Sequence, residues 1–130
     1  MKIIILLSMI FLHIADDYYL QGILAQMKQK SWWESKTTNK LYKNDYIVAL
    51  IEHGFSWTFV MMCPILVFML LSNNIQEVPF LVMFVINWIL HSVIDHCKAN
   101  LLIINLVTDQ LLHIIQVFIT WAIFFGVLFT

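Results

Sequence analysis

Residues 79–97 read PFLVMFVINWILHSVIDHC. The stretch is close to the roughly 20 apolar residues that a helix needs to cross a bilayer. Its polar members Asn87, His91 and Asp95 stand four apart. That spacing puts them on one face of a helix. Ionisable groups within a bilayer are expensive and turn toward a protein interior or a partner. The segment therefore predicts a membrane-spanning helix with a polar inner stripe, and it needs neighbours that carry matching stripes.

Three other segments supply them. The first, about 3–27, carries His13, Asp17 and Gln21; the second, about 45–71, carries His53 and Ser56 with Glu52 beside them. The fourth, about 101–129, carries Asn105, Asp109, His113, Gln116 and Thr120. The rest of each span is nearly all apolar. The expectation is an all-α fold: one integral membrane domain over 1–130, a bundle of four transmembrane helices.

Composition agrees. The chain has 130 residues, 62% hydrophobic and 12% charged, whereas soluble domains run near half apolar and a quarter charged. Net charge is −1, and all seven basic residues are lysine. Without arginine or a basic patch the chain offers no bidentate phosphate clamp and no nucleic-acid surface. Cys63 and Cys97 form no Cys-x2-Cys pair and read as inert buried thiols. The start resembles a signal peptide, but a cleavage site near Ala15 would put His13 where a small residue belongs. An uncleaved first span is expected.

The connections orient the bundle. Residues 28–44 hold Lys28, Lys30, Lys36, Lys40 and Lys43 with Trp32, Trp33 and Tyr42, the mixture that a membrane–water interface selects. A short interfacial helix broken near Thr37-Thr38-Asn39 is expected there. Lys98 sits in the third connection, the second connection has no basic residue, and Lys2 is the lone dissenter. Lysine-rich connections face the cytoplasm, which places both termini outside a cytoplasmic (inner) membrane. Asn44 or Asp45 suits the cap of the second span. Pro64 should kink that span, and Pro79 suits the first turn of the third.

A rise of about 1.5 Å per residue puts His53, His91, Asp109 and Asp17 about 12, 9, 12 and 15 Å above the cytoplasmic ends of their spans. The stripes thus share one layer. Neutral imidazole and carboxylate together suit Zn²⁺, Fe²⁺ or Mn²⁺, and helical bundles build metal centres from such side chains projecting inward. The candidate ligands are His13, Asp17, His53, His91, Asp95, Asp109 and His113. Asp16 and Glu52 are not taken as ligands, and His96 reads as an interface residue.

In order along the chain stand His13-x3-Asp17-Tyr18-x2-Gln21, His53, His91-x3-Asp95-x2-Lys98 and Asp109-Gln110-x2-His113. This series resembles a family of small bacterial and phage inner-membrane proteins catalogued as domain of unknown function three-three-zero-seven. The resemblance covers most of the chain. It implies a multi-pass membrane protein of about this length, and it adds Gln21, Lys98 and Gln110 to the candidate site as supporting or substrate-binding residues.

The leading expectation is a membrane metalloprotein, a hydrolase acting on a lipid-linked or anionic membrane-associated substrate. The alternatives are a transport or proton-relay component, bis-histidine haem, and a structural subunit whose stripes only fix helix register. Polar residues running through to the outer face would favour passage. Only the fourth span continues that way.

Overall fold

The computed structural model describes residues 1–129, and among them there is no strand. Helix α1 (Lys2–Ala15) runs on through a π-helical turn, Asp16–Leu20. Two short helices follow, α2 (Leu24–Met27) and α3 (Lys30–Lys36), then a 3₁₀ turn at Lys40–Tyr42. The long helices α4 (Asp45–Leu71), α5 (Glu77–Ala99) and α6 (Leu106–Ile123) complete the chain, with a second π-helical turn at Phe124–Leu128.

Four segments are long and apolar enough to cross a membrane: Lys2–Leu20, Lys40–Leu71, Glu77–Ala99 and Leu106–Leu128. α1 packs on α4 and α6, and α5 packs on the same two. Consecutive spans run antiparallel, so the bundle closes as a ring. Large apolar side chains cover its outside: Phe11, Phe55, Phe59, Val85, Ile89, Leu111, Ile115 and Phe118 are all exposed. An apolar surface this continuous belongs against lipid, and the chain is a multi-pass membrane protein.

Two span ends differ from the sequence reading. The first span stops at Leu20, not near Met27. Gly22 adopts φ +53, a left-handed conformation that glycine enters without steric cost, and it turns the chain out of the helix. The fourth begins at Leu106, not Leu101, because Leu102 at φ 56 interrupts the helix before it starts. Asn105 is therefore not part of the inner stripe. Its side chain accepts the Thr108 N–H at 2.9 Å and caps α6, as asparagine does at helix starts. Asn44 occupies the cap position of α4 but makes no side-chain cap bond. Pro64 lies inside α4 without ending it. The interfacial segment is helical over Lys30–Lys36, with an extended Thr37 closing the helix.

Away from the lysine-bearing end, the core is apolar. Ile5 and Met9 of α1, Met61, Met62, Ile65 and Met69 of α4, Met83 of α5, and Val117, Phe124 and Phe125 pack together and are buried. Lys2 at that end donates from Nζ to the Phe125 carbonyl at 2.9 Å. At the opposite end α4 and α5 approach closely at Gly54. A Cβ there would overlap Ser92 Oγ and lie 3.2 Å from Trp88 Cδ1. This close approach lets the neighbouring His53 reach His91 of α5.

Candidate metal centre

The four helices deliver four histidines and four aspartates to one buried layer. His13, Asp16 and Asp17 come from the first span, His53 from α4, His91 and Asp95 from α5, and Asp109 and His113 from α6. On α5 and α6 ordinary i, i+4 spacing suffices. On the first span it does not, since adjacent residues of an α-helix diverge by about 100°. The π-helical turn, closed by Gln21 N–H to Asp16 O at 3.2 Å, widens the helix there. Both Asp16 and Asp17 are buried as a result, the kind of local expansion that π-turns provide.

With the observed helix ends, Asp17 and Asp109 lie about 5 Å from the lysine-bearing end of their spans, and His53 about 12 Å. The value of about 15 Å read from the sequence for Asp17 is too large, because that span ends seven residues earlier.

Three imidazoles form a row. His53 Nε2 lies 3.1 Å from His91 Nε2, and His91 Nδ1 lies 3.2 Å from His113 Nδ1. Carboxylates flank both ends. Asp17 Oδ1 is 3.4 Å from His53 Nε2 and 3.9 Å from His91 Nε2. Asp95 Oδ2 is 3.2 Å from His53 Nε2 and 3.7 Å from His91 Nε2. His113 Nε2 is 3.4 Å from Asp95 Oδ1 and 3.5 Å from Asp109 Oδ1.

Two groups of three are close enough to hold a metal ion: Asp17, His53 and His91, and His91, Asp95 and His113. A tetrahedral ion with ligands at about 2.1 Å needs ligand atoms about 3.4 Å apart. The first group has edges of 3.1, 3.4 and 3.9 Å, close to one face of that tetrahedron. The second fits less well, since His113 meets His91 through Nδ1 and Asp95 through Nε2. The groups share His91, and a neutral imidazole has only one lone-pair nitrogen. The first group, with Asp95 beside it, is the better candidate for a single ion.

Charge and unmade hydrogen bonds point the same way. Asp17 Oδ1, Asp16 Oδ2, Asp109 Oδ1 and His53 Nδ1 are buried with no hydrogen-bond partner, a costly condition in a low-dielectric interior. Lys28 Nζ donates to Asp95 Oδ2 at 2.6 Å, and Lys98 Nζ to Asp109 Oδ2 at 2.9 Å. With all four carboxylates ionised and the imidazoles neutral, Lys28 and Lys98 would leave two negative charges, the charge that a divalent cation balances.

Around this layer stand other fixed groups. Trp57, fully buried, donates from Nε1 to His13 Nδ1 at 2.9 Å and stacks on His91 with ring centroids 4.1 Å apart. Ser56 donates to Asp16 Oδ1 at 3.1 Å. Gln110 donates to Asp17 Oδ2 at 3.0 Å and to Asp109 Oδ2 at 3.1 Å. Gln21 donates to the Asp17 carbonyl. One turn further in, Asn87 donates to Thr120 Oγ1 at 2.9 Å and Gln116 to the Asn87 carbonyl at 2.8 Å. Beyond them lies the apolar core.

Of the sequence-predicted ligands, Asp17, His53, His91, Asp95 and His113 fall into the two groups. His13 and Asp109 do not. His13 Nδ1 is taken by Trp57, and Asp109 is shared among Lys98, Gln110 and His113. His96 stacks on Tyr46, away from the cluster. The sequence reading missed three members. Asp16 is turned inward by the π-turn; the only signal was a second aspartate in an apolar run. Lys28 folds back from the interfacial segment, and Trp57 lies deep in the bundle; neither had a sequence signal.

No family model, curated protein or solved structure matches the chain.

Proposed function

We propose that the protein is a membrane-embedded metalloprotein in which Asp17, His53 and His91 hold one divalent ion, Zn²⁺, Fe²⁺ or Mn²⁺, with Asp95 adjacent. The observation that carries this reading is the three-membered face of 3.1, 3.4 and 3.9 Å, in which Asp17 Oδ1 is buried and makes no hydrogen bond. Asp17, His53 and His91 would hold the ion, which would supply a water of pKa lowered toward about 7. The chemistry this favours is hydrolysis of a membrane-associated ester. A cleft of about 390 Å³ reaches Asp17 and Asp95 from the lysine-bearing end, which gives water and substrate a way in. The chain's own groups orient the ligands: Gln110 fixes Asp17, and Trp57 fixes the plane of His91.

With this reading go a cytoplasmic-membrane location, a cytoplasmic lysine-bearing end and external termini, supported by six of the seven lysines lying at that end. Membership in the family that the four sequence blocks resemble belongs to it as well, because those blocks supply every candidate ligand.

Metal analysis of the purified protein tests it. One ion per chain in the wild type, absent after His91→Ala, is the expected result. A wild type that takes up none of the three metals overturns it.

The imidazole row favours one other reading, a proton relay. Passage across the membrane would have to continue past Met9, Met61, Ile65 and Phe124, all fully buried and apolar. Proton flux in liposomes would reinstate it.

A further inference from the structure

The cleft that reaches the candidate ion site has its own chemistry. Asp17 and Asp95 are its most buried lining residues; Lys28, Lys98 and Gln21 line it as well, and Leu102, among its most exposed members, lies at the rim. Lys28 and Lys98 each spend one N–H on a carboxylate, Asp95 and Asp109 respectively. An ammonium has three donors, so each keeps two. Gln21 Oε1 is buried and unpartnered, an acceptor free for a ligand hydroxyl.

The charge of this cleft depends on the ion. Asp17 and Asp95 offset Lys28 and Lys98 in the lining, and Asp109, which pairs with Lys98, and Asp16 lie just behind it. With a divalent cation on Asp17, the ion and the two ammonium groups face the cleft in a site of low dielectric, where charge interactions are strong. An anion is the ligand they suit. Two ammonium groups and a divalent ion converging on one small cleft fit the tetrahedral oxygens of a phosphomonoester. Tyr18 and Leu102 of the lining are exposed, so an acyl-chain-bearing phosphate reaches the mouth sideways from the bilayer as readily as a soluble one does from water.

We propose that this cleft binds a phosphomonoester group, held by Lys98 and Lys28 beside the ion. The proposal rests on the metal centre above, and binding requires that centre to be filled.

The test uses full-length protein in detergent, loaded with Zn²⁺, freed of excess metal, and assayed by calorimetry. Two probes separate the sources: glycerol 3-phosphate for the soluble one, and nanodiscs containing phosphatidic acid for the lipid one. Saturable binding of either by metal-loaded protein is expected, with tighter binding of phosphatidic acid identifying the bilayer as source. Lys98→Gln should weaken it about tenfold or more, as loss of a charge-assisted hydrogen bond does. Lys98→Arg should keep most of it, which separates loss of the contact from loss of the fold. Metal-free protein should bind neither probe. If one ion is bound per chain and neither phosphate binds, the phosphate assignment fails while the metal centre stands. Equal binding with and without metal overturns it too. If no metal is taken up and no phosphate binds, both fail together.

Discussion

At the lysine-bearing end of the bundle, α1, α4, α5 and α6 meet through four histidines and four aspartates. At the other end the same helices meet through Met9, Met61, Met62, Ile65, Met69, Val117, Phe124 and Phe125. The second kind of contact is non-directional; methionine in particular fills irregular gaps and tolerates exchange. The first kind depends on which atom faces which, and buried polar groups left without partners are costly. The two ends therefore divide the work. One holds the helices together, and the other, given that support, keeps polar side chains in an arrangement that, on the proposed reading, a cation completes.

Four substitutions would break or sharpen that contrast. The largest effect is expected at His91, the one residue common to both candidate metal groups. His91→Ala should abolish metal uptake by elemental analysis while leaving helical content, read by circular dichroism, close to wild type.

Next is Lys28→Met. It leaves Asp95 buried without its ammonium partner, which should cost about 3–5 kcal/mol in metal-free protein. Thermal unfolding should show a much smaller loss once Zn²⁺ is bound, because the ion then supplies the missing charge. Equal losses with and without metal would mean that the two ends are not so different.

Trp57→Phe removes the N–H that His13 Nδ1 accepts but keeps an aromatic ring over His91. A loss of about 1–3 kcal/mol in stability is expected for the unsatisfied buried acceptor, with weakened rather than abolished metal binding in a titration.

The smallest effect belongs to the apolar end. Met61→Leu, at a fully buried position, conserves volume and should cost less than about 1.5 kcal/mol, with metal stoichiometry unchanged. A larger loss, or any loss of metal, would show that the far core also tunes the site.

The contrast also explains what the sequence made legible. Spans and inward stripes follow from hydropathy and helical period, because lipid on one side and polar neighbours on the other leave few alternatives. His91 and Asp95, one turn apart on a regular helix, fall together for that reason. Asp16 does not, because its orientation depends on a turn that is not α-helical. Lys28 does not, because a chain reversal at Gly22 returns it to the bundle. Trp57 does not, because a tryptophan in an apolar span carries no mark of the hydrogen bond it makes to a neighbouring helix. His13 has the same i, i+4 relation to Asp17 that His91 has to Asp95, yet it lies outside both candidate metal groups. Spacing along one helix says which face a side chain shares; the neighbouring helix decides what it touches.

The π-helical turn at Asp16–Leu20 gives the site a dependence on chain length as well as on side chains. A π-turn holds one residue more than the α-turn it replaces. Removing a single residue from this stretch, such as the exposed Tyr19, would let the helix close into regular α geometry and rotate Asp16 or Asp17 out of the layer with every candidate ligand still present in the sequence. For this protein a one-residue deletion at the end of the first span is therefore a ligand substitution in disguise, and spacing between residues 13 and 21 is under the same physical constraint as the identity of the histidines.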